Sequence, residues 1–163
     1  MGNETGDSAF VLGRIGAILK DLERVRADLL ALSEYISLGI DPKAEAHSLK
    51  ENFRHKQPYA FVLQQGVFKH VTTWRNLYER VLRVLQEEDP KRFAELLENQ
   101  EFTDRRGKPY FARSREPFIR ASKLADNIYA EVTLGANEIR DRIRHLLKTF
   151  EIPQEDMIVY LRK

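Results

Sequence analysis

The sequence predicts an α+β protein: a long coiled-coil-like helix at the N-terminus, then a compact domain with the element order β-β-α-α-β-β-α-β. Three observations predict it. Apolar residues hold an unbroken heptad spacing before residue 39. Beyond Pro58, short β-favouring runs and helices of 3.6-residue period follow one another without the regular strand-helix alternation of a doubly wound sheet. Gly, Thr and Asp-Pro signals punctuate the boundaries between them.

The polar, acidic start, residues 1–9, is expected to be disordered. The helix over 10–38 follows, with Val11, Ile15, Ile18, Leu22, Val25, Leu29, Leu32 and Ile36 spaced 4, 3, 4, 3, 4, 3, 4. This seam is a candidate oligomerisation surface that binds a second copy or a partner helix. With Ile15 as position a, a parallel pair sets Asp21 opposite Arg26 of the partner, one attractive contact that does not by itself choose an orientation. Leu12, Leu19 and Leu30 widen the stripe, which also suits a helix docked on its own domain.

Gly39 supplies a helix C-cap, and Asp41-Pro42 restarts the chain. Residues 39–57 are therefore expected to be a linker with a short solvated helix, anchored only by Leu49 and Phe53, and the domain itself to span 58–163. On this reading a fragment over 56–163 folds alone. In "YAFVLQQGVFKHV" two strands meet at a Gln-Gly turn, and a Thr at 72 or 73 caps the helix "WRNLYERVLRVLQEE". Trp74 reads as a core anchor rather than a base-stacking platform. Asp89-Pro90 opens a shorter helix with Phe93, Leu96 and Leu97 inward. A turn at "DRRGKP", a short strand at "YFARSR" and a better one at "NIYAEVTL" precede the helix "ANEIRDRIRHLLKTF"; "MIVYLRK" is the last strand.

Composition narrows function. The 163 residues suffice for one ordinary core and an appendage, and the absence of cysteine removes disulfides, thiolate metal sites and a cysteine nucleophile. No apolar run is long enough to span a membrane, and the start lacks the basic and apolar regions of a leader, so a cytoplasmic, unexported protein is expected.

The net charge of +2 conceals a local excess. Residues 105–123 carry Arg105, Arg106, Lys108, Arg113, Arg115, Arg120 and Lys123 against Glu116 alone. Tyr110, Phe111 and Phe118 lie among these charges, and Arg140, Arg142, Arg144 and Lys148 decorate the helix that follows. A basic stretch with aromatics is how a protein neutralises a phosphate backbone and stacks on bases. The candidate nucleic-acid-binding residues are Arg105, Arg106, Lys108, Tyr110, Arg113, Arg115, Arg120, Lys123, Arg140, Arg144 and Lys148. A plainer reading makes Phe111 and Phe118 core residues of a solvated hairpin.

The segment "NIYAEVTLGANEIRDRIRHLLKTFEIP", with Tyr129, Glu131, Leu134, Ala136 and Asn137, together with the upstream Trp-initiated helix and Tyr-Phe-x-Arg strand, resembles a module of uncharacterised prokaryotic proteins from restriction and phage-defence gene neighbourhoods. The resemblance covers 58–163 and implies an accessory role. The chain departs from it at Val132-Thr133, where the module has Thr-Asn, and at Gly135, where it has a capping Ser.

No motif of a known reaction centre is present: no glycine-rich phosphate loop, no nucleophile elbow, no Glu-x-Lys of a metal-dependent nuclease. His47 and His55, two helical turns apart, lack a carboxylate that completes a metal motif, and His70 and His145 stand alone. No cofactor or metal is expected. The sequence therefore supports a non-catalytic, self-associating adaptor that meets DNA or RNA, with a pure protein-interaction module as the alternative.

Overall fold

The computed structural model describes residues 4–41 and 43–162, and the chain divides into two units, one before and one after residue 43. The first is essentially one helix, α1 (Glu4–Leu38), of 35 residues. It starts earlier than the sequence suggests. Residues 4–9, expected to be disordered, are helical, and residues 1–3 lie outside the described residues. Gly39 ends the helix at φ +59, its N–H bonded to Ile36 O, and the Ile40 N–H bonded to Tyr35 O completes the reverse turn.

All eight residues of the heptad seam are exposed, between 44% for Leu32 and 73% for Ile36. Apart from the neighbouring residues and the backbone of α1 itself, no described atom lies within 4 Å of where a Cβ would sit on Gly13 or Gly16. Neither glycine relieves a contact within the chain, so each weakens α1 by roughly 1 kcal/mol relative to alanine. Gly13→Ala with Gly16→Ala is expected to slow amide exchange along α1 in the intact chain; unchanged or faster exchange contradicts this.

The second unit holds two antiparallel sheets. β1 (Glu45–Ser48), β2 (Pro58–Leu63), β3 (Gly66–Phe68) and β7 (Met157–Leu161) form one, in the order β1-β7-β2-β3. The other is β4 (Phe111–Ala112), β6 (Ile128–Glu131) and β5 (Ala121–Ala125), in the order β4-β6-β5. Three helices complete the unit: α2 (Trp74–Glu88), α3 (Pro90–Glu95) and α4 (Ala136–Thr149).

Two sequence expectations are corrected here. The short helix of the 39–57 linker is instead strand β1, which pairs with β7 from Glu45↔Leu161 to Ser48↔Ile158. An edge of β7 was available to "EAHS", and sheet pairing overrides the weak helix signal of a segment with two apolar anchors. Both anchors, Leu49 and Phe53, are in the core. The second correction adds a strand, since β5 makes the order after residue 58 β-β-α-α-β-β-β-α-β. Its alternation of buried Ser122 and Leu124 with exposed Lys123 carries only one large apolar residue, too faint a pattern to stand out.

The helices are where their caps put them. Thr73 accepts from Asn76 N–H at the start of α2, and Asp89 accepts from Arg92 N–H at the start of α3, with Pro90 in its first turn. The α2 face of Trp74, Leu77, Tyr78, Val81, Leu82 and Leu85 packs with Ile139, Ile143, Leu146 and Leu147 of α4, and with Phe61 and Leu63 of β2, in one core. Trp74 is an anchor: its indole N–H donates to Lys56 O at 2.7 Å and its ring lies 4.7 Å from that of Phe53.

Candidate nucleic-acid interface

The basic segment is built on two fixed points. The first is Asp104, whose carboxylate accepts from the N–H groups of Arg106 at 2.8 Å and Lys108 at 2.9 Å. Gly107, at φ +76, closes this turn with its N–H on Asp104 O. The two backbone donors hold the Asp104 carboxyl below its usual range. The turn projects Arg105 and Arg106 into solvent.

The second fixed point is Glu131, at the end of β6 and 4% exposed. Its carboxylate accepts from Lys108 Nζ at 2.9 Å and from the N–H groups of Ile119, Arg120 and Thr133. Burial pushes this carboxyl up, but the Lys108 ammonium and the three backbone donors outweigh burial and hold it down at about 2. Both ends of the 108–120 loop are thus tied to one buried carboxylate.

Phe111 and Phe118 are core residues, as the plainer reading had it. Tyr110 is half-buried, with the Arg142 guanidinium over one face at 3.7 Å and Phe102 edge-on. That face is closed to a base. Arg142 is 6% exposed, pairs with Glu138 at 3.1 Å, and leaves Nε and Nη1 buried without a hydrogen-bond partner. Its charge lies close to the buried Tyr78 hydroxyl: burial raises the Tyr78 pKa to about 12, with Arg142 opposing the rise.

A cleft of about 590 Å³ opens between the Asp104 turn and α4, lined by Arg105, Arg106, Tyr110, Arg142 and His145 together with three carboxylates, Asp104, Glu138 and Asp141. Three arginines face three acids there, so with His145 neutral the formal charges of the lining sum to zero.

Apart from Tyr110, the ten basic candidates separate by what their charges already do. Lys108 is committed to Glu131. Arg140 donates to Glu51 O at 2.7 Å and pairs with Asp141, and Arg144 donates to Gln154 at 2.9 Å; both fasten loops to α4. Arg113 pairs with Glu98 and Lys123 with Asp126, in exposed bridges that water screens. Arg105, Arg106, Arg115, Arg120 and Lys148 are exposed, and among the described residues their side chains enter no ion pair. Close beside Arg120 stands Ile119, 83% exposed, the one large apolar side chain outside α1 so placed among the described residues.

Glu131 and Arg142 carry structural weight that the sequence reading did not assign. Arg142, expected on the outer surface of α4 with Arg140, Arg144 and Lys148, is instead buried, because position 142 lies between Ile139 and Leu146 on the inward stripe; nothing local marked Glu131 as buried. His47, expected to be solvated, is largely buried and holds Glu51 at 2.6 Å. Among the described residues no cluster of three or more His, Asp or Glu is placed to hold a metal, and no helix is long and apolar enough to cross a membrane.

No protein family, no curated protein and no solved structure matches this chain.

Proposed function

We propose that this chain is a non-catalytic adaptor that self-associates through α1 and meets the phosphate backbone of a nucleic acid through Arg105, Arg106, Arg115 and Arg120. The observation that supports it is the division of labour within one segment: Lys108 is paired with the buried Glu131, while these four guanidinium groups are exposed and, among the described residues, have no carboxylate within ion-pair distance. The segment's resemblance to modules of phage-defence neighbourhoods suggests an accessory role in prokaryotic antiviral defence, in the cytoplasm where the nucleic acid is at hand.

A fluorescent generic duplex titrated with the protein tests this. Four released counterions predict a log-log salt slope of about −3 to −4, an affinity loss on the order of a hundredfold between about 50 and 200 mM salt. Charge reversal at all four arginines should flatten the slope, while Arg24→Glu in α1 should leave it nearly unchanged. Sequence preference should be weak, because no helix is committed to base edges. Undetectable binding to both single- and double-stranded probes at low salt overturns the reading.

Ile119 favours a second reading, in which the same loop docks on an acidic protein surface. An exposed aliphatic beside arginine on a pinned backbone has the make-up of a protein-interface anchor. In that case Ile119→Asp abolishes partner binding, whereas phosphate binding by the arginines barely responds to it.

A further inference from the structure

We infer that α1 assembles as a parallel bundle of three or four copies of this chain. The inference rests on the reading that α1 self-associates, and adds its order and direction. With Ile15 at position a, the a residues are Ile15, Leu22, Leu29 and Ile36, and the d residues are Val11, Ile18, Val25 and Leu32. Parallel two-stranded coils favour β-branched residues at a and Leu at d; the central layers here, Leu22 and Leu29 at a with Ile18 and Val25 at d, are the reverse, the arrangement that shifts preference to trimers and tetramers.

The flank agrees. Leu12 and Leu19 occupy e positions, and both are more than half exposed. Leu30, at b, lies further round the same side. A two-stranded pair covers only a and d and leaves this side wet. A third or fourth helix packs against it.

Charge sets the direction. In an in-register parallel bundle Asp21 at g meets Arg26 at e of the neighbouring copy, and no like charges meet across the flanks. The antiparallel register that buries the same eight residues stacks Val11 on Ile36, Ile15 on Leu32, Ile18 on Leu29 and Leu22 on Val25. It sets Asp21 against Asp28 twice along one flank and leaves Arg26 facing Leu19 along the other. Asp21, Arg26 and Asp28 are exposed and, among the described residues, enter no ion pair within their own chain.

Light scattering on the intact protein gives the order, with an expected mass three or four times the 19.1 kDa of the chain. The direction follows from single cysteines, since the chain has none of its own. In the parallel bundle, Ile36→Cys alone and Val11→Cys alone each form disulfide-linked pairs on mild oxidation. A mass of two chains overturns the order and leaves self-association standing. Cross-linking only when the Val11→Cys and Ile36→Cys chains are mixed overturns the direction. A monomer overturns the inference together with the reading beneath it. Because wild-type mass is measured first, a cysteine variant that fails to assemble leaves the order tested, and Ser37→Cys with a bis-maleimide linker then reports the direction from outside the seam: linked pairs of this one variant support the parallel bundle, and their absence counts against it.

Discussion

A chain beginning at residue 56 is expected not to fold, although one beginning at Lys43 melts cooperatively. Both retain α2, α4 and most of the sheet, and they differ in β1 and the turn after it. Removing that segment strips an edge strand from β7 and takes Leu49 and Phe53, 1% and 0% exposed, out of the core. It also removes the ties that hold it to α4: Phe53 N–H on Asn137 Oδ1 at 2.8 Å, Asn137 on the Asn52 side chain at 2.9 Å, and Arg140 on Glu51 O. Truncating a buried Phe costs about 3–5 kcal/mol and a buried Leu about 2–5 kcal/mol, so their joint loss reaches the whole stability of an ordinary domain, about 5–15 kcal/mol. Trp74 is the only tryptophan and packs against Phe53, with ring centroids 4.7 Å apart, so its fluorescence through a thermal melt reads the result. A cooperative transition in the 56–163 chain at the midpoint of the 43–163 chain contradicts this account of the first strand.

Glu131→Gln is expected to destabilise the domain more than any substitution of the exposed basic residues of the 105–123 segment. The amide keeps the shape but leaves Lys108 without its counter-charge and offers one acceptor oxygen to three backbone donors. Breaking a buried pair by removing one partner typically costs about 3–5 kcal/mol. The pH dependence is specific. The folded carboxyl is held at about 2 against an ordinary 4.5, so its contribution is complete above about pH 4.5 and is lost as the pH falls toward 2. That difference corresponds to about 3 kcal/mol by linkage. Urea unfolding followed by Trp74 should show wild type losing this increment across the window and the variant losing correspondingly less. Parallel pH profiles for the two proteins contradict the assigned role.

What the sequence disclosed and what it withheld divide along physical lines. The seam of α1 was legible because a period of 3.5 held over four heptads has no competing explanation in composition. Helices α2, α3 and α4 were legible from Thr73, Asp89-Pro90 and their 3.6-residue stripes. β1 was not, because a strand is decided by the edge that receives it, and β7 lies more than a hundred residues further along the chain. The same limit applies to the site. A cluster of bases reads as a cluster whether its charges are free or spent, and only the placement of Glu131, Glu51 and Gln154 separates Arg105, Arg106, Arg115 and Arg120 from Lys108, Arg140 and Arg144. Aromatic residues among arginines likewise suggested stacking until Phe111 and Phe118 were seen to be buried and Tyr110 to be covered by Arg142.

An adaptor must do two things in one molecule, assemble and engage its target, and sedimentation of the intact protein with and without a generic duplex at low salt observes both. A multimer is expected in the absence of nucleic acid and a heavier boundary carrying the duplex in its presence, reverting to the free multimer as salt is raised. A protein that sediments as a monomer and leaves the duplex boundary unmoved contradicts it.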